Sequence, residues 1–552
     1  MRNFPAFASW RGAAGAAVLT TIICASPIAA QTDFSLWPQT HYSQGWDLRT
    51  MQMVLETGSG GFRDGVSWAT VETGPQTYDM SSIAPYMAQA EALGLKVMLV
   101  FAGSHPAHDD GNTPFTDEGR QAFARYVAAV VAAFPKAIGV IEIGNEYNTG
   151  NFLDGPAKED PGGYFGPIIE AVDTELKAQK LDVEVLCTGA HSVATGYFEA
   201  VFDSGALEHC DALSFHPYRD TPEHVTREIA RLRTQMQQRG VDLPLYATEF
   251  GNWFETATEA PDYMLKMVSL LGDAGVRTAV WYALLDEKWW PNMGLFDSRL
   301  EPKPAAASFD FLQKRLLSLG RPSAQGTRGE DRIFTYGRDG RGFVVWGAPG
   351  TLVVNGIAEY FDSSGRPIAP VTEITTEPVI ILGNDLTVGI QRYVGVYDAV
   401  LGFGETPWSY HGLTRGGEIT PFTLQDGNWN PYIGHAFRNP MGITPAKVAT
   451  AFFGDEAHYA VERFTAPQAG QYRVSARWYK GGDAEDNDGA DIKVSRNGDT
   501  VLHAVVRDRA VEWQSEAFAL EAGDHLDFAV GPNKQAGGDW VRREISVRGP
   551  LP

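Results

Sequence analysis

The chain has 552 residues, of which 44% are hydrophobic and 20% charged. That is the composition of a large folded chain with room for more than one domain, not of a long disordered one. The net charge of −23 argues against nucleic acid and against anionic membrane surfaces as partners.

Residues 1–30 read as a signal peptide. Arg2 and Arg11 flank the start of an apolar run from Ala13 to Ala25, and Ser26 to Ala30 offers a small-residue cleavage site. The run is too short to span a bilayer comfortably. Cys24 follows two isoleucines rather than a small residue, so no lipid anchor is expected. No later stretch reads as transmembrane. A secreted or periplasmic protein without a membrane partner is therefore expected. Cleavage would leave Cys187 and Cys210. Export permits a disulfide, but both lie in buried-looking strand sequence, so two free core thiols are the expectation.

Residues 31–318 alternate short apolar strands with amphipathic helices. The strands are Leu36–Tyr42, Gly61–Trp68, Lys96–Ala102, Ile138–Gly144, Val183–Gly189, Ala212–His216, Leu243–Glu249 and Thr278–Leu284. The helices between them carry end signals. Asp79, Asp117 and Thr221-Pro222 stand at starts, and Gly94, Gly240 and Gly275 at ends. Eight such units predict an α/β fold, a (β/α)₈ TIM barrel. No Gly-x-Gly-x-x-Gly or Walker pattern follows any strand, which removes support for nucleotide binding.

After about residue 320 helical periodicity stops. Short strands at 332–336, 342–346, 351–354 and 378–382 predict a small β-sandwich over residues 319–399. Longer strands between Gly-rich turns predict a larger, jelly-roll-like sandwich over residues 400–552. Trp478, Tyr479, Asp539 and Trp540 give it the look of a carbohydrate-binding module. Asp483, Glu485, Asp486, Asp488 and Asp491 cluster in a Gly-rich loop that could supply the oxygen ligands of a structural calcium, although acidic loops are usually just solvated.

The strand ends of the barrel carry the chemistry, because such a barrel displays its reactive groups there. The fourth strand runs straight into Asn145 and Glu146, and the seventh ends at Glu249. Other strand ends bring His41, Arg63 with Asp64, His105, His191, His216 with Tyr218, Trp281, and Asp286. Aromatic faces can stack on a pyranose, while amides and carboxylates bond its hydroxyls. No two residues have the close helical spacing of metal ligands, so neither a metal nor any other cofactor is expected. Two carboxyl groups suffice to cleave a glycoside if one is protonated and the other ionised. Arg63, on reaching Glu249, would keep it charged. A nearby negative charge and a less polar setting would keep Glu146 protonated.

Asn145-Glu146 after strand four and Glu249 after strand seven resemble the large clan of retaining glycosidases built on (β/α)₈ barrels. The stretch Phe62 to Trp68, followed by Val71-Glu72 and Tyr78-Asp79, is similar to glycoside hydrolase family 39 and its exopolysaccharide-cleaving endoglycosidase relatives. The resemblance covers the barrel. It implies Glu146 as acid/base and Glu249 as nucleophile. It further implies Asn145 bonding the sugar 2-hydroxyl, Arg63 supporting Glu249, Trp281 flooring a sugar subsite, and His216 and Tyr218 near the nucleophile. His41, His105 and His191 fit substrate ligands and satisfied structural histidines equally, and Asp286 matches no pattern. The resulting expectation is a retaining β-glycoside hydrolase acting on a polysaccharide or its oligosaccharides. The alternative from another class is a secreted carbohydrate-binding or adhesion protein with a silent barrel.

Overall fold

The structure is a computed structural model that describes residues 34–552 apart from 327–328, 338, 437–440, 482–487 and 536–539. The expected signal peptide, the acidic residues Asp483, Glu485 and Asp486, and Asp539 lie outside the described residues.

Eight parallel strands form the first layer: β1 Ser35–Pro38, β2 Gly61–Ser67, β3 Lys96–Ala102, β4 Ile138–Ile143, β5 Glu184–His191, β6 Ala212–His216, β7 Leu245–Phe250 and β8 Val276–Trp281. Their bonded order is β1-β8-β7-β6-β5-β4-β3-β2. A parallel bridge between Gln39 and Arg63 joins the two ends, so the sheet closes into a barrel. Helices α1 Met51–Glu56, α2 Ala84–Leu93, α3 Asp117–Ala133, α4 Pro161–Gln179, α5 Thr195–Asp203, α6 Val225–Gln238, α7 Ala260–Asp273 and α8 Pro304–Phe311 follow the strands in turn. The N-cap of α3 is Thr116, one residue before the expected Asp117; its hydroxyl accepts from the Gly119 N–H at 3.0 Å.

The strand alternation explains both faces of the barrel. Along β4, Val140 points inward and packs with Met98, Leu186, Ala212, Tyr246 and Val280. Ile141 and Ile143 point outward to the helices. The inward apolar layer plugs the lower barrel, so the polar residues above it sit on a dry floor.

The small sandwich pairs a six-stranded with a three-stranded antiparallel sheet. It shares a core with the barrel through Phe334, Tyr336 and Trp346. The larger sandwich pairs a nine-stranded with a seven-stranded sheet, beginning with the strand Val396–Asp398 and ending with Trp540–Leu551. Trp478 is fully buried in its core, so it offers no face to a ligand.

The structure corrects the cysteine expectation. Cys187 on β5 and Cys210 just before β6 are disulfide-bonded, with Cα atoms 5.8 Å apart. Cys210 leads into the strand that pairs with β5, so the fold sets it beside Cys187. Among the described residues, no helix is long and apolar enough to cross a membrane.

Candidate active site

Above the apolar plug lies a polar layer organised by Arg63. The guanidinium is buried, 2% exposed, yet it serves four acceptors. Its Nε donates to Glu142 Oε2 at 2.7 Å. Nη1 donates to Gln39 Oε1 at 2.9 Å and to Glu249 Oε1 at 2.5 Å. Nη2 donates to Asn145 Oδ1 at 3.0 Å. Burial lowers the pKa of such a group, but the two carboxylates outweigh it and raise the Arg63 pKa. Asp64 is not its partner. That carboxylate accepts instead from Thr40, from the Tyr42 N–H and from Ser43.

Glu249 reaches this layer through an irregularity in β7. Ala247 pairs with Ala279 and Phe250 with Trp281, so β7 has one extra residue over this stretch. Without that bulge, strict alternation from the inward Tyr246 would turn Glu249 to the helices. With it, Glu249 faces the cleft. Its Oε2 accepts from the Tyr218 hydroxyl at 2.7 Å. Both oxygens therefore face donors, an arrangement that stabilises negative charge on this carboxyl.

Glu146 is placed by the turn that ends β4. Gly144 has φ of +89°, and a Cβ there would meet Phe165 and the Thr188 carbonyl at 3.2 Å. Glu146 itself adopts φ of +48°, and its N–H is bonded to the Gly189 carbonyl at 2.8 Å. Glu146 Oε1 lies 3.0 Å from His216 Nδ1 and 3.1 Å from His191 Nδ1. One oxygen of Glu146 and one of Glu249 lie within 4.8 Å of each other, with His216 between them. This neighbourhood corrects the expected electrostatics of Glu146. Burial pushes its pKa up, but hydrogen bonds from His191 and His216, and then their charge, outweigh burial and lower it. The neighbours that decide its protonation are imidazoles rather than a negative charge. The His216 pKa moves the other way: burial lowers it, and Glu249 and Glu146 more than offset that.

These groups open into a cleft of about 760 Å³ that is lined by His41, Arg63, Asn145, Glu146, Tyr218 and Glu249 among others. His41 is bonded to the Tyr282 hydroxyl at 3.2 Å. Burial lowers its pKa to about 4, so it is neutral at neutral pH. His216 is fully buried beneath the cleft, against Glu146.

Two expected site residues are elsewhere. Trp281 is fully buried, stacks on Phe254 at 6.1 Å, and donates its Nε1–H to the Met293 carbonyl. It follows the inward Val280 and so faces the helices; Tyr282, the next residue, takes the cleft position. His105 is buried behind the cleft. Its Nδ1 accepts from the Ala107 N–H and its Nε2 meets the Glu72 carbonyl at 2.9 Å. Asp286 is a loop brace that accepts from the Lys303 ammonium and the Gly294 N–H. Sequence reasoning gave the sugar floor to Trp281 rather than to its neighbour Tyr282, and it missed Glu142, Gln39 and the clamp on His191. Asn148 accepts from the His191 N–H at 2.9 Å and donates to the His191 carbonyl at 2.8 Å. The signal for Tyr282 was available in the period-two alternation of β8.

Among the described residues, two groups bring three potential metal ligands together: Glu72, His105 and His108; and Glu146, His216 and Glu249. The donor set of the first is already engaged. Glu72 Oε2 accepts from the Trp68 indole at 2.7 Å and meets His108 at 3.1 Å, while both His105 nitrogens face backbone groups. In the second, the Arg63 cation already sits on Glu249. Of the acidic loop, the described Asp491 meets Tyr459, His503 and Lys493.

No known protein family's sequence profile matches the chain, and no curated protein matches it. The fold is similar to solved structures of low identity. One is a GH39 β-xylosidase from Caulobacter crescentus, 15% identical, covering 64% of this chain and 96% of that one at a TM-score of 0.46. Another is a glucosidase from Croceicoccus marinus, 12% identical, covering 94% and 96% at 0.44. A third is an exo-β-1,4-mannosidase from Opitutaceae bacterium strain TAV5, 17% identical, covering 52% of this chain and 59% of that one at 0.41.

Proposed function

We propose that the protein is a retaining β-glycoside hydrolase acting on a polysaccharide or its oligosaccharides. The observation that carries this reading is the pair of carboxyl groups, from β4 and β7, whose nearest ligand oxygens lie within 4.8 Å in one cleft. Carboxyls about 5–5.5 Å apart suit a double displacement, whereas inverting enzymes need a wider gap to seat a water.

In the first step Glu249 attacks the anomeric carbon while the bond to the leaving oxygen breaks. Glu146 delivers a proton to that oxygen. Both imidazoles meet Oε1, which leaves Oε2 as the atom that carries the proton to the leaving oxygen. In the second step water attacks the glycosyl-enzyme, Glu146 takes its proton, and Glu249 departs as carboxylate. Arg63 and Tyr218 hold Glu249 in place and stabilise its charge at the start and the end. Because Arg63 occupies Asn145 Oδ1, the Asn145 amide N–H₂ is left to face the cleft, where it can donate to the sugar 2-hydroxyl.

The test is a panel of β-linked polysaccharides and aryl β-glycosides followed by NMR, with Glu146→Gln and Glu249→Gln in parallel. Products of retained configuration, lost in both variants, support the reading. Hydrolysis that survives in both variants sinks the two-carboxylate assignment. Saccharide binding without hydrolysis favours the silent-barrel alternative.

A further inference from the structure

The barrel does not build the cleft alone. Asn430 and Lys447, both from the larger sandwich, line it. They arrive on two anchored segments. In the first, Thr195 donates to the Asp426 carboxylate, and Arg231 lies 3.6 Å from the same group. Gly196 packs so closely on Gly427 that a Cβ at position 196 would come within 2.7 Å of the Gly427 Cα. Asn148, the clamp of His191, also donates to the Asn428 carbonyl at 2.7 Å. In the second segment, Lys447 lies 3.5 Å from Asp220 of the barrel.

Between the Asn428 anchor and the lining residue Asn430, Trp429 stands 54% exposed. Its ring meets His191 edge-on, with centroids 5.9 Å apart at 71°. A tryptophan held this firmly on both sides and still half in water is not filling a core. Its apolar surface can be taken out of water by the C–H face of a sugar ring. It also stands beside the histidine that bonds Glu146, the group that meets the departing oxygen. The charges of the cleft narrow the class of sugar. Arg63 is matched by Glu142 and Glu249, Arg219 by Glu228, and Lys447 by Asp220. Among the described lining residues, no arginine or lysine is left over for a uronate or a sulfate.

We propose that the larger sandwich completes the active site, with Trp429, Asn430 and Lys447 forming a subsite that stacks and holds a neutral sugar ring on the leaving-group side. The side assignment rests on the hydrolase reading. The existence of the subsite does not.

The test titrates Glu249→Gln with mono-, di- and trisaccharides of neutral β-linked series by calorimetry and ligand-observed NMR, then repeats this with Trp429→Ala and Trp429→Phe added. The loss of affinity in Trp429→Ala is expected to be at least ten-fold larger for a disaccharide than for the monosaccharide, with Trp429→Phe recovering most of it. Equal loss for all lengths would mean that Trp429 acts only by bracing His191, and overturns the subsite. No loss, or no saccharide binding by Glu249→Gln, overturns it as well. Tighter binding of uronate-bearing than neutral oligosaccharides overturns the neutral class. Wild-type hydrolysis is read separately. Length-dependent binding through Trp429 without hydrolysis keeps the subsite and sinks the hydrolase reading. Hydrolysis with affinity indifferent to Trp429 does the reverse. Melting temperatures unchanged by the Trp429 substitutions show that the fold is intact.

Discussion

Arg63 and Glu249 meet at 2.5 Å across the mouth of the barrel, one from β2 and the other from β7. The same guanidinium holds Glu142 at 2.7 Å, below Glu249 and fully buried. One cation thus offsets two carboxylates, Glu142 out of reach of water and Glu249 at the floor of the cleft. Replacing Arg63 by Met leaves both without their counter-charge, with the hydroxyls of Thr248 and Tyr218 still donating to them. Breaking a buried pair from one side costs about 3–5 kcal/mol, so Arg63→Met is expected to lower the melting temperature sharply and abolish hydrolysis. Arg63→Lys keeps the charge but cannot reach four acceptors in a planar fork. It is expected to recover stability in part while kcat/KM stays about 100-fold or more below wild type. A Lys variant with wild-type kcat/KM would show that Arg63 supplies charge and nothing of geometry.

His191 sets the proton affinity of Glu146 from the cleft side. Burial alone would raise the Glu146 pKa, but the His191 and His216 bonds outweigh it and hold it low. Removing one of those bonds moves the Glu146 pKa up. Acid catalysis uses the protonated carboxyl, so the alkaline limb of kcat/KM is expected to move to higher pH in His191→Phe, with kcat lower by on the order of ten-fold. Phe keeps the packing against Tyr218 and Trp429, whose rings lie 6.3 and 5.9 Å from His191. An unchanged limb, measured with one substrate across the pH range, would leave His191 a structural brace only.

How much of this was legible beforehand follows from how each residue is placed. The eight-strand barrel and the Asn145-Glu146 turn were readable because they rest on local pattern: a β-branched run, then a glycine that must turn. Trp281 was misplaced because it was read as a strand end rather than counted along the alternation from Val280. The position of Glu249 ran the opposite risk. Alternation alone would have turned it outward, and only the extra residue of β7, visible in its pairing with β8, brings it in. The same holds for β5, where Cys187 and Ala190 oppose Leu213 and Phe215, an added residue that aims His191 at Glu146. Bulges, the Cys187–Cys210 bond and the Asp426–Asn430 loop all depend on which segments lie side by side. Sequence order does not carry that information.

The disulfide makes its own prediction. It ties β5, which carries the His191 bulge, to the approach to β6 across a separation of 23 residues. Closing a loop of that length stabilises a fold by about 3 kcal/mol through the unfolded chain. Cys187→Ala with Cys210→Ala is therefore expected to lower the calorimetric transition of the barrel by several degrees, and reductant is expected to do the same to the wild type. Equal transitions in the variant and the oxidised protein would show that the bond adds nothing to the fold.

Acid should loosen the junction between the barrel and its sandwiches. Glu223 and His224 stand at the start of α6, both 4% exposed. Glu223 accepts from Lys266 at 2.9 Å and from the Trp346 indole of the small sandwich at 3.1 Å. Burial raises its pKa, but the Lys266 charge outweighs burial and brings it from 4.5 down to about 2. His224 bonds the Val400 carbonyl of the larger sandwich at 2.6 Å, and burial, with Arg227 beside it, lowers its pKa from 6.5 to about 3. Both folded values lie below the unfolded ones. Each group therefore contributes stability that is complete above its unfolded pKa and drains away as pH falls toward the folded one. The His224 share is lost from about pH 6.5 to 3, and the Glu223 share, roughly 3 kcal/mol, from about pH 4.5 to 2. The melting temperature should fall in two overlapping stages as the buffer is acidified. His224→Gln keeps an amide donor for Val400 but cannot titrate, and it is expected to flatten the stage between pH 6.5 and 4.5. Glu223→Gln strands Lys266 and is expected to cost about 3–5 kcal/mol at neutral pH while removing the lower stage. A wild-type melting temperature that holds level from pH 7 to pH 4 would refute the neutral His224, and one that holds level from pH 4.5 to pH 2 would refute the ionised Glu223.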